Sequence, residues 1–182
     1  MTFKILFLGD SNVGKSCLIK RFMDDTFDNH LPPTICIDFK IKKIKEDVKI
    51  YMWEITSLKD CQSFFKDAEG VFILFDLTNE KSFFNIPEYI RYVKKNNNIP
   101  IILLGTKLDE CADKRMILYQ EAKKFADSMN IYYFEISSKE EENIENIQQI
   151  FNIIYSEIEY KKREKELKKE EKKKKKKKCT IL

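Results

Sequence analysis

Eight consecutive residues, Gly9-Asp10-Ser11-Asn12-Val13-Gly14-Lys15-Ser16, have the spacing G-x-x-x-x-G-K-[ST]. The chain has only four glycines and this stretch holds two of them, so the spacing is no by-product of a glycine-rich composition. A loop with glycine at both ends can curl until successive backbone N–H groups point inward, forming an anion nest at a helix N-terminus. Asn12, Val13, Gly14 and Cys17 lie on that nest, Lys15 places a point charge on β- and γ-phosphates, and Ser16 offers a hydroxyl to Mg²⁺. This is chemistry for a nucleoside phosphate.

Such a loop must sit between a buried strand and a helix, and its flanks supply both. The apolar run Phe3 to Leu8 leads in, and the helical spacing of Cys17, Leu18 and Phe22 leads out. Further along, strand-like and helical segments alternate. Ile35 to Ile44 and Val48 to Trp53 read as a hairpin around Lys45-Glu46-Asp47. Gly70 to Asp76, Ile99 to Gly105 and Ile131 to Ile136 read as buried strands. Helices are expected over 79–96, with Asn79 or Thr78 as cap, over 115–129, and from 141 onward. The pattern predicts an α/β fold with a doubly wound, mainly parallel six-stranded sheet, one antiparallel edge strand and about five helices.

Five scattered cysteines form no C-x-x-C pair, and no signal peptide precedes the first strand, which reads as a reducing, cytosolic setting without disulfides or a zinc site. His30 is the single histidine, which argues against histidine acid–base catalysis. No apolar run reaches membrane-spanning length. The net charge of +4 conceals an asymmetry, because residues 161–182 carry a net +9 and residues 1–160 a net −5. The domain is therefore read as 1–160 and the basic tail as 161–182. The basic excess lies outside the domain, which argues against a nucleic-acid-binding face.

Four motifs in order give the chain a family resemblance. Thr34-Ile35-Cys36-Ile37-Asp38-Phe39-Lys40 resembles a Rab switch I and the strand after it. Phe75-Asp76-Leu77-Thr78-Asn79-Glu80-Lys81-Ser82-Phe83 resembles a Rab segment almost letter for letter. Leu104-Gly105-Thr106-Lys107-Leu108-Asp109 resembles a guanine-reading motif, and Glu135-Ile136-Ser137-Ser138-Lys139 the loop that completes the base pocket. With the phosphate loop, these residues resemble a P-loop NTPase of the Ras superfamily, closest to the Rab branch. The resemblance implies GTP or GDP with Mg²⁺. The Asp109 carboxylate can accept the guanine N1–H and exocyclic amine, a donor pair adenine lacks. Lys107 would lay its stem along the base, Ser138 would offer its backbone N–H, and Ser137 and Lys139 belong to the same loop. Phe27 has the family's spacing for an aromatic edge against the base. Thr106 stands where most of the family has asparagine, as in the Rho branch. Thr34 resembles the switch threonine that joins the metal and the γ-phosphate, so that phosphate loss releases its loop.

The resemblance breaks after Trp53. The family reads W-D-T-A-G-Q-E; this chain reads Trp53-Glu54-Ile55-Thr56-Ser57-Leu58-Lys59. Glu54 keeps the charge of the metal-orienting aspartate with one more methylene. Ser57 replaces the glycine near the γ-phosphate, and Leu58 replaces the glutamine that orients the attacking water, a task leucine cannot perform because it neither donates nor accepts a hydrogen bond. No catalytic residue is assigned, and very slow or absent intrinsic hydrolysis is expected. Metal binding is expected through Ser16, Thr34 and Glu54.

Seven lysines, Lys172 to Lys178, precede Cys179-Thr180-Ile181-Leu182, which fits C-a-a-X with leucine favouring geranylgeranyl on Cys179. One lipid plus a polybasic run gives stable attachment to an anionic membrane. The expected protein is a monomer on the cytoplasmic face of a membrane, with a soluble cytosolic pool, in vesicle traffic. Its expected partners are effectors at switch I, an exchange factor, a prenyl transferase and an activating protein, with no nucleic acid. The alternative is a non-cycling pseudo-GTPase that serves as a membrane scaffold.

Overall fold

In a computed structural model the backbone is described for residues 2–28, 30–34, 37–56, 62–96 and 99–179. Six strands form one sheet: β1 (Thr2–Leu8), β2 (Ile37–Lys45), β3 (Val48–Ile55), β4 (Gly70–Asp76), β5 (Ile101–Thr106) and β6 (Tyr132–Glu135). Their order is β2-β3-β1-β4-β5-β6, and only the β2–β3 pair is antiparallel. The expected sheet, with its one antiparallel edge strand, is the observed one. The central strands are fully buried in β4 and β5, as continuous apolar runs such as Val71–Phe75 demand.

Six α-helical segments accompany the sheet among the described residues: α1 (Lys15–Asp24), α2 (Glu80–Phe84), α3 (Ile86–Asn96), α4 (Cys111–Lys114), α5 (Tyr119–Met129) and α6 (Ile144–Cys179). The helix expected over 79–96 is two helices broken at Asn85, just before Ile86-Pro87, where proline restricts its predecessor and removes a donor. The expected cap is not a side-chain cap. Asn79 precedes α2 without one, and the Ser82 hydroxyl instead donates to the Asn79 carbonyl at 2.7 Å. The helix expected from residue 115 begins at Tyr119. Residues 115–118 are drawn away by Arg115, whose guanidinium pairs with Glu135 at 2.6 and 2.9 Å.

Two cores cover the faces. On one, α2, α3 and α5 pack through Phe83, Ile90, Val93, Ala122 and Ala126. On the other, α1 and α6 pack through Leu18, Phe22, Phe151, Ile154 and Ile158, with the Phe22 and Phe151 rings stacked 3.5 Å apart. Gly70 exists where α6 crosses β4, since a Cβ there would meet the Ile154 and Ile158 methyls at 3.0 Å.

The helix that carries the tail does not stop near residue 160. α6 runs for 36 residues to Cys179, about 54 Å. Lys162 is fastened to the body, with its ammonium 2.6 Å from Glu69 and 4.3 Å from the Phe3 ring centre. Beyond it, helix-favouring Lys and Glu and i,i+4 pairs such as Glu164–Lys168 sustain the helix. No helix among the described residues is long and apolar enough to cross a membrane.

Ile154 lies at the seam of α6, β4 and Gly70 and is fully buried. Ile154→Ala is expected to cost about 2–4 kcal/mol of unfolding free energy, read by urea denaturation, with loss of the α6 docking contacts.

Candidate functional site

The phosphate loop crosses from β1 to α1 over a path that few side chains tolerate. Gly9 (φ +142°) passes so close to β4 that a Cβ would stand 2.3 Å from the Leu74 carbonyl oxygen. Gly14 (φ +91°) caps α1, and Asn12 also adopts positive φ (63°), a conformation asparagine accepts more readily than most residues. Lys15 is buried and donates to the carbonyls of Gly9 at 3.0 Å and Asp10 at 2.7 Å, so the loop holds its own cation. Burial lowers the pKa of Lys15, while Glu54 and Asp10 oppose that shift.

Behind the loop, Asp10 accepts from the Asn85 amide at 2.8 Å and the Tyr89 hydroxyl at 3.0 Å, both at the start of the α3 region. The Thr106 hydroxyl lies 2.6 Å from the Val13 carbonyl and 2.9 Å from the Phe75 carbonyl, and it has one proton to give. Thr106 thus joins the phosphate loop to β5 and β4. Its hydroxyl is turned to the backbone, which makes it a brace for the base motif that follows it.

Three oxygens meet at the mouth of the loop. Ser16 Oγ donates to Glu54 Oε1 at 2.8 Å, Thr34 Oγ1 donates to the same oxygen at 3.0 Å, and the two hydroxyl oxygens are 3.1 Å apart. Adjacent ligands of an octahedral Mg²⁺ at 2.0–2.1 Å are separated by about 2.9 Å. Hard oxygens, one of them a buried carboxylate, fit that ion, and Ser16, Thr34 and Glu54 would hold it. The additional methylene of Glu54 brings its carboxylate into direct contact with both hydroxyls.

On the other side of the cleft, Lys107 takes a left-handed conformation (φ 60°) and its ammonium pairs with Asp76 at 2.6 Å. Asp109 is largely buried and accepts from Ser137 Oγ at 2.8 Å, with the Lys139 ammonium 4.0 Å away. A carboxylate has about four acceptor positions, so Asp109 retains capacity for a further donor pair. Ser137 also accepts from the N–H groups of Lys139 and Glu140 at 3.1 and 3.2 Å. Glu135, just before this loop, is fixed by Arg115 and by the Tyr133 hydroxyl at 2.6 Å. Hydrogen bonding to Glu135 raises the Arg115 pKa, and burial raises that of the Tyr133 phenol.

These groups line one cleft of about 330 Å³ that contains Asn12, Gly14, Lys15, Ser16, Cys17, Phe27, Thr34, Glu54, Thr106, Lys107, Asp109, Ser138 and Lys139. Val13 and Ser137, expected in the site, are buried behind it and act by holding Thr106 and Asp109. Burial raises the pKa of the Cys17 thiol. Ser57 and Leu58 lie outside the described residues, as do Thr180, Ile181 and Leu182. Cys179 ends α6, far from the cleft.

Two features escaped the sequence reading. Arg21 is buried, and its guanidinium donates to the carbonyls of Ser138 at 2.7 Å, Lys139 at 2.8 Å and Asp25 at 2.8 Å. It pins the base loop to the C-terminal end of α1. The available signal was an arginine three residues after Leu18 and adjacent to Phe22, on the helix side that buries apolar residues. Phe39, Trp53 and Phe64 form an aromatic row on β2, β3 and the turn 62–65, with ring centres 4.4 and 5.0 Å apart and the Lys4 ammonium 5.4 Å from Trp53. The signal available for Phe39 is the alternation of Ile37, Phe39 and Ile41 along β2; nothing comparable marks its neighbours.

A glycine-bounded phosphate loop at the carboxyl edge of a mainly parallel sheet, facing an aspartate-bearing base loop across one cleft, defines a nucleotide-binding α/β protein. The family model described as Ras family matches residues 4–160. GTP-binding protein ypt1 of Schizosaccharomyces pombe is 36% identical over 152 residues, covering 79% of this chain and 74% of its own. Ras-related protein RABD2a of Arabidopsis thaliana has the same identity and coverage, and GTP-binding protein yptV2 of Volvox carteri is 36% identical over 151 residues, covering 78% and 70%. The chain belongs to the Ras family, on the Rab branch of the small-GTPase superfamily.

Arg21→Met removes three charge-assisted donors and leaves the carbonyls of Ser138 and Lys139 unpaired. The amides of Lys139 and Glu140 are expected to exchange about tenfold faster by hydrogen–deuterium mass spectrometry, with a loss of about 1–3 kcal/mol in stability.

Proposed function

We propose that this protein is a Rab-like, guanine-nucleotide-dependent switch attached to the cytoplasmic face of a membrane, probed by effectors at switch I and acting in vesicle traffic, with slow or absent intrinsic GTP hydrolysis. One observation carries the reading: phosphate-directed Lys15 and Ser16, metal-directed Thr34 and Glu54, and base-directed Asp109 line the same cleft. Asp109 suits the adjacent donors of guanine, and the relatives from S. pombe and V. carteri are named as GTP-binding proteins. Bound Mg²⁺ would supply charge neutralisation at the phosphates, with Ser16, Thr34 and Glu54 as its holders.

The half-exposed Phe39 and Ile41 on β2, beside Trp53 and Phe64, support an effector-facing surface that continues from Thr34. Family membership supports an exchange factor and an activating protein as partners, and the C-a-a-X ending at Cys179 supports a prenyl transferase. Attachment would combine a lipid on Cys179 with the lysine run, since one lipid alone binds reversibly. The slow-hydrolysis reading rests on the sequence at Ser57 and Leu58. A second reading, a non-cycling scaffold, is favoured by the departures from the family pattern at Glu54, Ser57 and Leu58.

The deciding experiment identifies the nucleotide that copurifies with the full chain and follows single-turnover release of phosphate from loaded GTP. GTP at the site with little phosphate release is expected. Hydrolysis at an ordinary small-GTPase rate overturns the slow-hydrolysis reading, ATP in the site overturns the guanine reading, and an empty site that takes up neither nucleotide leaves the scaffold.

Glu54→Asp withdraws the carboxylate by about one C–C bond length, roughly 1.5 Å. With Mn²⁺ in place of Mg²⁺, the variant is expected to show one additional metal-bound water by ¹⁷O-water electron paramagnetic resonance. About tenfold weaker metal binding should accompany it.

A further inference from the structure

The side of α6 turned away from the sheet has a composition unlike the rest of the surface. Gln149, Asn152, Ser156, Tyr160, Arg163 and Leu167 recur at intervals of three or four and all are exposed, opposite the buried Ile150, Ile154 and Ile158. In a chain of which 35% of residues are charged, Arg163 is the one charge on this stripe, and it is positive. Tyr160 and Leu167, two helical turns apart, are 66% and 61% exposed and stand in line.

Three of the four acids of the same stretch are held or buried, and the fourth, Glu166, is exposed next to Leu167 in the chain. Glu157 accepts from Tyr132 at 3.2 Å, Glu159 Oε1 is buried, and Glu164 pairs with Lys168 at 2.6 Å. Even the Ser156 hydroxyl is folded back, donating to the Asn152 carbonyl at 2.9 Å. The stripe is thus aromatic, aliphatic and basic, without a negative charge between Gln149 and Leu167. At the same spacing it meets the exposed Glu170 before the helix reaches the lysines that precede Cys179.

We infer that this outward stripe of α6 is the surface on which the domain lies against an anionic lipid bilayer, with Tyr160 and Leu167 at the headgroup level and Arg163 among the lipid phosphates. The inference rests on the membrane attachment proposed above and adds an orientation to it. A helix on a charged interface places tyrosine and leucine at the boundary and basic side chains beside the headgroups. The helix is one rod from the core to the lysine run, so a tail laid along the membrane brings residues 149–163 down with it. The α1–α6 side of the sheet then faces the lipid, and α5, on the opposite face, points to the cytosol.

The test uses the full chain, with and without a geranylgeranyl group on Cys179, and vesicles of phosphatidylcholine with or without phosphatidylserine. An environment-sensitive fluorophore replaces Ser156 in one sample and the exposed Gln120 of α5 in another. A blue shift at position 156, none at 120, and dependence on phosphatidylserine are expected. Tyr160→Glu with Leu167→Glu should abolish the shift and weaken vesicle partition roughly tenfold. Both residues are exposed, so the variant's unfolding temperature should match that of the parent. Vesicle binding with position 156 still in water means an upright helix and overturns the orientation while the attachment stands. A shift that appears without vesicles and grows with protein concentration assigns the stripe to a second copy and also overturns it. Absence of binding to any vesicle overturns the attachment and, with it, this inference.

Discussion

The close passage of Gly9 under the Leu74 carbonyl is the constraint from which the site follows. No side chain fits there, and the left-handed φ would strain any that tried. Only along this path can the carbonyls of Gly9 and Asp10 converge on Lys15 while Gly14 opens the first turn of α1. The rest of the cleft is registered to that turn. Thr106 takes its place from the Val13 carbonyl, and Arg21, six residues beyond Lys15, takes the base loop by its own carbonyls. The two halves of the site, one for charge and one for a heterocycle, are therefore fastened to opposite ends of one ten-residue helix.

Much of the fold was legible because its strands are buried on both faces and so read as unbroken apolar runs, as in Gly70–Asp76. The chemistry of Lys15, Ser16 and Asp109 was legible because backbone geometry forces those residue types into short, fixed spacings. What escaped depends on residues far apart in the chain. Arg21 meets partners 117 and 118 positions away, and a single arginine in a helix does not announce them. Thr34 and Glu54 were both read as metal-directed, but not as bonded to each other; the length of the glutamate side chain closes them into one cluster. The break at Asn85 was hidden because helical periodicity persists across a proline in the first turn of the second helix.

The tail shows how cooperativity carries a helix beyond its core. A run of like charges suggests an unfolded segment, yet helix formation is cooperative, and a growing end needs no new nucleus. α6 is nucleated and held by the core at Ile147, Phe151 and Ile158, so residues with favourable helix propensity are added to an existing rod. The charge that governs the tail's partners and the propensity that governs its shape are separate properties of the same lysines.

Asp10 has a further meaning once its partners are taken together. Its side chain is held by Asn85 and Tyr89, and its carbonyl holds Lys15. The first two belong to the α2–α3 junction and to α3, so that helix and the phosphate loop form a single mechanical frame. A frame stiffened in this way does not record what occupies it. Differences between occupied states have to be expressed outside that frame, and a protein that senses those states has to look away from α3.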